Sequence, residues 1–276
     1  MKKVLLAFDG SHFSEASLDF AKRMNEREPI SLTGAFLPQV DFSSLWSMSA
    51  VEKPTKASVP LMEDSSSKEV YHNIHRFEAY CRQNKIRFKT HSEFFNFAIP
   101  EIKNESRFAD LLIVSSGEFY KQAGTQVSNS YLREILQGLE CPLIVIPEKH
   151  CAPTSNILAY DGTASSVFSI KQFTYLFPEW AKNPTTILHT VSPGEASWPH
   201  EVQIRELIDA HFPLAAWELV ELNSKSMVAA WLAEHKNAIV VSGSFGRSGL
   251  SMFFRKSYIA DAINEHQLPI FIAHYK

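Results

Sequence analysis

The chain is written twice. VLLAFDGSHFSEASLDFAK, from Val4, returns after Cys151 as ILAYDGTASSVFSIKQF, from Ile157, so Asp9-Gly10-Ser11 corresponds to Asp161-Gly162-Thr163. The closing segments correspond as well. ADLLIVSS from Ala109 matches NAIVVSGS from Asn237, and CPLIVIPEK from Cys141 matches LPIFIAHYK from Leu268. A repeat of this length is one folding unit stated twice, so any architecture has to serve both copies. The 276 residues suffice for two cores of ordinary size, divided here into 1–150 and 151–276.

Within each copy, short Val/Ile/Leu runs alternate with helix-period segments. Strands are expected at 3–8, 30–36, 86–92, 110–115 and 142–147, and again at 156–161, 185–191, 215–221, 238–242 and 269–274. Helices are expected at 12–27, 66–84, 97–107 and 128–138, then at 164–181, 199–211, 224–235 and 255–266. Runs such as LLIVS and AIVVS lack polar alternation, so both of their faces must be covered. The expected fold class is therefore α/β, with two consecutive open, doubly wound, parallel five-stranded sheets flanked by helices.

The copies differ in length. Asp9 and Asp161 lie 152 positions apart, but Pro142 and Pro269 only 127, which leaves 25 extra residues in the first copy. The Ser/Pro-rich stretch 38–67, with Trp46 in it, is the natural place for them. It reads as a long loop, either a flap over the sheet or an insert with no role.

The most specific motif follows strand 238–242. Gly243-Ser-Phe-Gly246 is succeeded by nine residues, Arg247 to Arg255, and then by Lys256-Ser257 at the start of the helix expected at 255–266. Glycine lets backbone N–H groups approach a phosphate, and a helix N-terminus adds donors and a positive dipole end. Ser257 is placed to cap that helix and to offer its hydroxyl to a phosphate oxygen.

G-x-x-G, nine residues, then G-S or G-T is the nucleotide loop of ATP-binding universal stress proteins, and the chain resembles that family over nearly its whole length, in tandem. The resemblance implies a Rossmann-like, adenine-nucleotide α-hydrolase-like fold. It also implies a stress-response role in which ATP or a related adenine nucleotide, with or without Mg, binds the second copy as a regulatory switch. The nucleotide-binding residues it implies are Asp161, Gly162, Thr190, Gly243, Gly246, Arg247, Lys256 and Ser257. Asp161 would serve the ribose and adenine end, and Thr190 would offer backbone groups to the base. Asp161 reads equally well as a turn former or helix cap.

Lys256 departs from the family's third glycine, and either blocks a close backbone approach or points its ammonium at a phosphate with Arg247 and Arg255. The first copy departs further, with Ser116 and Phe119 at the loop glycines and Asn129-Ser130 at the position of Lys256-Ser257. That half is expected to be a structural partner in an internal pseudo-dimer. The alternative to the nucleotide reading is a scaffold or protein-interaction module that kept the fold and dropped the ligand.

Other chemistries find less support. A net charge of −3 argues against a nucleic-acid partner. Neither a signal-peptide core nor a run of roughly 20 apolar residues is present, and three cysteines make no disulfide framework, so a cytoplasmic protein without a membrane partner is expected. A homodimer and an unidentified protein partner stay open. His72 and His75 sit three apart on one helix, but a solvated face explains them better than a metal site, and none is expected. Phe94, Phe95 and Phe97 read as packing, Trp198, Trp217 and Trp231 as part of the second core, and His189 as a packed strand residue. No nucleophile–base arrangement is legible, so the chain is not read as an enzyme, with slow ATP hydrolysis left open.

Overall fold

The computed structural model describes residues 1–8, 13–36, 64–92, 103–115, 139–149, 152–191, 197–220, 225–235, 237–243, 268–273 and 275. In the first half these form β1 (Lys2–Phe8), α1 (Glu15–Arg27), β2 (Ile30–Phe36), α2 (Asp64–Gln83), β3 (Arg87–Ser92), β4 (Leu111–Ser115) and β5 (Leu143–Ile146). The second half supplies β6 (Ser155–Ala159), α3 (Ala164–Leu176), a 3-10 turn (Trp180–Lys182), β7 (Thr185–Thr190), α4 (Glu201–His211), β8 (Ala215–Val220), α5 (Lys225–Glu234), β9 (Ala238–Ser242) and β10 (Ile270–Ile272). Every expected strand is present.

The local signals explain the elements. Ser14 caps α1 by accepting from the Ser17 amide at 3.2 Å, and Leu18, Ala21 and Met24 put an apolar stripe on the sheet. Glu28 turns extended ahead of Pro29, which ends the helix. The same logic corrects one expectation. The helix expected at 164–181 stops at Leu176, because Pro178 cannot donate to the helix and disfavours helical backbone at Phe177. A separate 3-10 turn follows at Trp180–Lys182.

The start of α2 at Asp64 likewise removes 64–67 from the expected 38–67 loop. Residues 38–63 of that loop lie outside the described residues, as do Phe94, Phe95 and Phe97 and the helices expected at 128–138 and 255–266. Of the helix expected at 97–107, residues 103–106 are helical.

The strands are ordered β3-β2-β1-β4-β5-β10-β9-β6-β7-β8, so each half repeats one winding. The two expected consecutive five-stranded units are present, and they join edge to edge in a single ten-stranded sheet. All pairs within a half are parallel; the seam, Val145 opposite Ile270 and Leu143 opposite Ile272, is antiparallel. Alternate residues of one strand enter different cores. Val4, Leu6 and Phe8 of β1 join a cluster with α1, α2, α3 and α4, whereas Leu5 and Ala7 join one with Leu232 of α5 and Val240 of β9. Covering both faces is why the strand runs are continuously apolar. Among the described residues no helix is long and apolar enough to cross a membrane.

Candidate functional site

Strand order fixes where a ligand can enter. In an open α/β sheet the crevice lies beyond the carboxyl ends of the two strands whose crossovers diverge, here β6 and β9. Asp161 and Gly162 follow β6, and Gly243 follows β9 directly. The first turn of α3 lies between them. Thr163 caps that helix by accepting from the Ser166 amide at 3.2 Å. Asp161 holds the cap, its Oδ1 accepting from the Thr163 amide at 3.0 Å and from the Thr163 hydroxyl at 2.6 Å. The turn-forming reading of Asp161 is therefore realised. Its Oδ2 has no partner among the described residues.

The two described glycines at this edge, Gly162 and Gly243, are there for different reasons. Gly162 sits at φ +76°, in the left-handed region, and a Cβ there would come within 2.5 Å of Pro199 Cβ. Gly243 is buried, and a Cβ on it would run into the Ser166 amide and approach the Ser165 carbonyl oxygen to 2.5 Å. Gly243 thus allows β9 to abut the backbone of α3. That close helix–strand approach needs a glycine with or without a phosphate nearby.

Thr190 ends β7 opposite Val220, on the far side of β6 from Gly243. Gly246, Arg247, Lys256 and Ser257 lie outside the described residues, as do Asp9, Gly10, Ser11, Ser116, Phe119, Asn129 and Ser130 in the first half. At the matching edge of that half, the Ser115 hydroxyl donates to Glu148 at 3.0 Å.

An aromatic roof over the β6–α3 turn is absent from the sequence reading. The Tyr160 hydroxyl donates to the Pro199 carbonyl at 2.6 Å, across 39 positions of chain. Burial first, and the Asp161 carboxylate second, raise the Tyr160 phenol above its ordinary range, which keeps it a donor. Trp198 lies parallel to Tyr160 at 6.3 Å, tilts against His189 at 5.5 Å and meets Trp217 edge-on at 4.9 Å. Arg205 places its guanidinium 4.5 Å from the Trp217 ring centre. His189 is half-buried, and its Nδ1 donates to the Tyr160 carbonyl at 2.8 Å. Trp231 packs elsewhere, donating to Glu218 at 3.1 Å and stacking on His235 at 3.8 Å. No pattern of spacing announces the roof, since its contacts join β6 to residues ahead of α4.

His72 and His75 are both exposed on α2, and among the described residues no cluster of His, Cys, Asp or Glu could hold a metal ion. Cys81 is fully buried, and burial pushes its thiol up to about 12.

No protein-family model matches the sequence, and no curated protein matches it. Solved structures do match the fold. A universal stress protein from Archaeoglobus fulgidus DSM 4304 aligns over 99% of this chain and 96% of its own length, with a TM-score of 0.65 at 13% identity. A protein of unknown function from Pseudomonas aeruginosa PAO1 aligns over 99% of this chain and 92% of its own, with a TM-score of 0.53 at 11% identity. The chain therefore has the tandem α/β fold found in a universal stress protein, as its repeated motifs imply.

Proposed function

We propose that the chain is a stress-response protein whose second half binds ATP or a related adenine nucleotide and acts as a regulatory switch. The observation that carries this reading is the convergence of Asp161, the first turn of α3 and Gly243 on the β6/β9 crevice. A helix N-terminus there suits an anionic ligand, and the Asp161 oxygen that has no partner among the described residues suits a ribose hydroxyl. The motif from Gly243 to Ser257 leaves β9 at this same place. Mg, if it accompanies the nucleotide, would be held mainly by phosphate oxygens.

On this reading nucleotide occupancy biases one conformation over another, and rapid turnover plays no part. The two halves act as an internal pseudo-dimer in the cytoplasm, and the readout passes to a protein partner. The experiment is calorimetry of nucleotide-free protein with ATP, ADP and AMP, beside Gly246→Arg. Saturable binding that Gly246→Arg abolishes supports the reading; absence of binding to all three overturns it.

A second reading, a scaffold that has dropped its ligand, is favoured by the roof. Pro199 packs against Gly162, and Trp198 fills space beside Tyr160 and His189 at the carboxyl edge. Under it, Trp198→Ala leaves nucleotide binding absent and Gly246→Arg changes no property of the protein.

A further inference from the structure

At the far end of α3 from Asp161, about 20 Å along a helix of this length, the chain has a second concave feature. The C-terminal ends of α1 and α3 converge there on a cleft of about 240 Å³, lined by both halves. Met24 and Ile30 come from the first half, and Leu176, Phe177 and Trp180 from the second. The Phe177 and Trp180 rings stack at 4.4 Å, 6° from parallel, and form a rigid apolar wall. The cleft owes its shape to Pro178, which turns the chain off α3 and swings Trp180 toward α1.

The charges around its rim are unevenly spent. Lys2 pairs with Glu28, and Glu179 pairs with Lys182 at 2.9 Å. Arg27 is left over. Its guanidinium stands 5.7 Å from the Trp180 ring centre and has no carboxylate partner among the described residues. We propose that this cleft binds a small monoanion that joins an apolar body to a carboxylate. The body would rest on Leu176 and Pro178, and the carboxylate on the Arg27 fork.

Glu28 and Glu179 already hold Lys2 and Lys182, so the rim charge without a carboxylate partner among the described residues is the Arg27 guanidinium, and one guanidinium suits a single negative charge. The volume is below the roughly 300–1,000 Å³ that houses drug-sized ligands, so a nucleotide does not fit and the ligand is small. Because both halves line the cleft, its ligand binds only their docked arrangement and stabilises it. The site is separate from the β6/β9 crevice and stands whether or not nucleotide binds there.

The test uses the full chain and two probes of one shape, 3-phenylpropionate and its neutral amide, titrated by calorimetry. The acid is expected to bind one site with a Kd on the order of 1 mM or tighter, and the amide about ten-fold more weakly. Arg27→Gln should bring the acid down to the level of the amide while the circular dichroism spectrum stays that of the parent. Leu176→Trp, which fills the cleft without changing charge, should remove both. No saturable binding of the acid, equal binding of acid and amide, an acid affinity undiminished by Arg27→Gln, or acid binding that survives Leu176→Trp overturns the proposal.

Discussion

At the residue scale, the candidate site is held by contacts that a single atom can break. Gly162 carries two burdens, a left-handed backbone and a packing contact with Pro199. Gly162→Ala should therefore cost about 1–2 kcal/mol from the backbone alone, with a further overpacking term. Adding Pro199→Gly should relieve the second part and leave the first, and a double-mutant cycle in urea separates them. Additive effects of the two substitutions would show that Pro199 does not press on the turn.

Cys81 offers a test of burial in the other half. Its thiol is held up to about 12 by burial, against an ordinary value of 9.0. The neighbouring Tyr80 phenol is raised as well, by burial and then by its 2.6 Å bond to Asp19. Both groups keep their protons in the folded state where the unfolded chain begins to lose them. Their stabilisation is therefore fully present below the unfolded values and is lost as pH rises toward the folded ones, from about 9 upward for Cys81. Urea midpoints should fall across that range, less steeply in Cys81→Ala, and a thiol reagent at neutral pH should modify Cys81 only after unfolding.

At the element scale, the meeting of β9 with α3 is decided by Gly243. Any side chain there meets the backbone of Ser165 and Ser166, which cannot swing aside as a flexible side chain could. Gly243→Ala is expected to destabilise by about 1–3 kcal/mol, read from chemical denaturation. A neutral result would show that α3 can slide along the strand. The same element shows how local chemistry defeats a periodic pattern. Apolar residues recur from Ala164 through Ala181, yet Pro178 cuts the run and yields a helix followed by a 3-10 turn. The new direction carries Trp180 into its contacts with Phe20, at 5.3 Å, and with Arg27.

For the molecule as a whole, the seam between β5 and β10 makes the two halves one sheet. The larger apolar cluster also crosses the seam, running from Val4 and Leu18 to Phe173 and Phe271. Unfolding should accordingly be a single cooperative transition by fluorescence and circular dichroism. A fragment of residues 1–149 would expose the edge of Leu143–Ile146, four apolar residues with no partner strand, and should self-associate in light scattering. A fragment that stays monomeric would show that the first half is complete without the second.

Much of this was legible in the sequence because it is local or repeated. Continuous apolar runs announced strands buried on both faces. The repeated Asp-Gly turn announced two equivalent windings; the helix expected from 164 starts there, whereas the one expected from 12 starts at Glu15, behind the Ser14 cap. The spacing from Gly243 to Ser257 raised the expectation of a ligand at the end of β9, and of that motif Gly243 lies among the described residues. Backbone propensity and burial act over a few residues, so the order of residues alone encodes them.

Tertiary structure decided what depends on distant partners. Only the fold shows that the two five-stranded units share one sheet, that Gly243 is required by the backbone of α3, and that Tyr160 reaches Pro199 to roof the turn. It alone brings Arg27 beside Trp180, 153 positions later in the chain. Such contacts follow from how rigid elements stack once their apolar faces are covered, and no periodicity along the chain records that stacking.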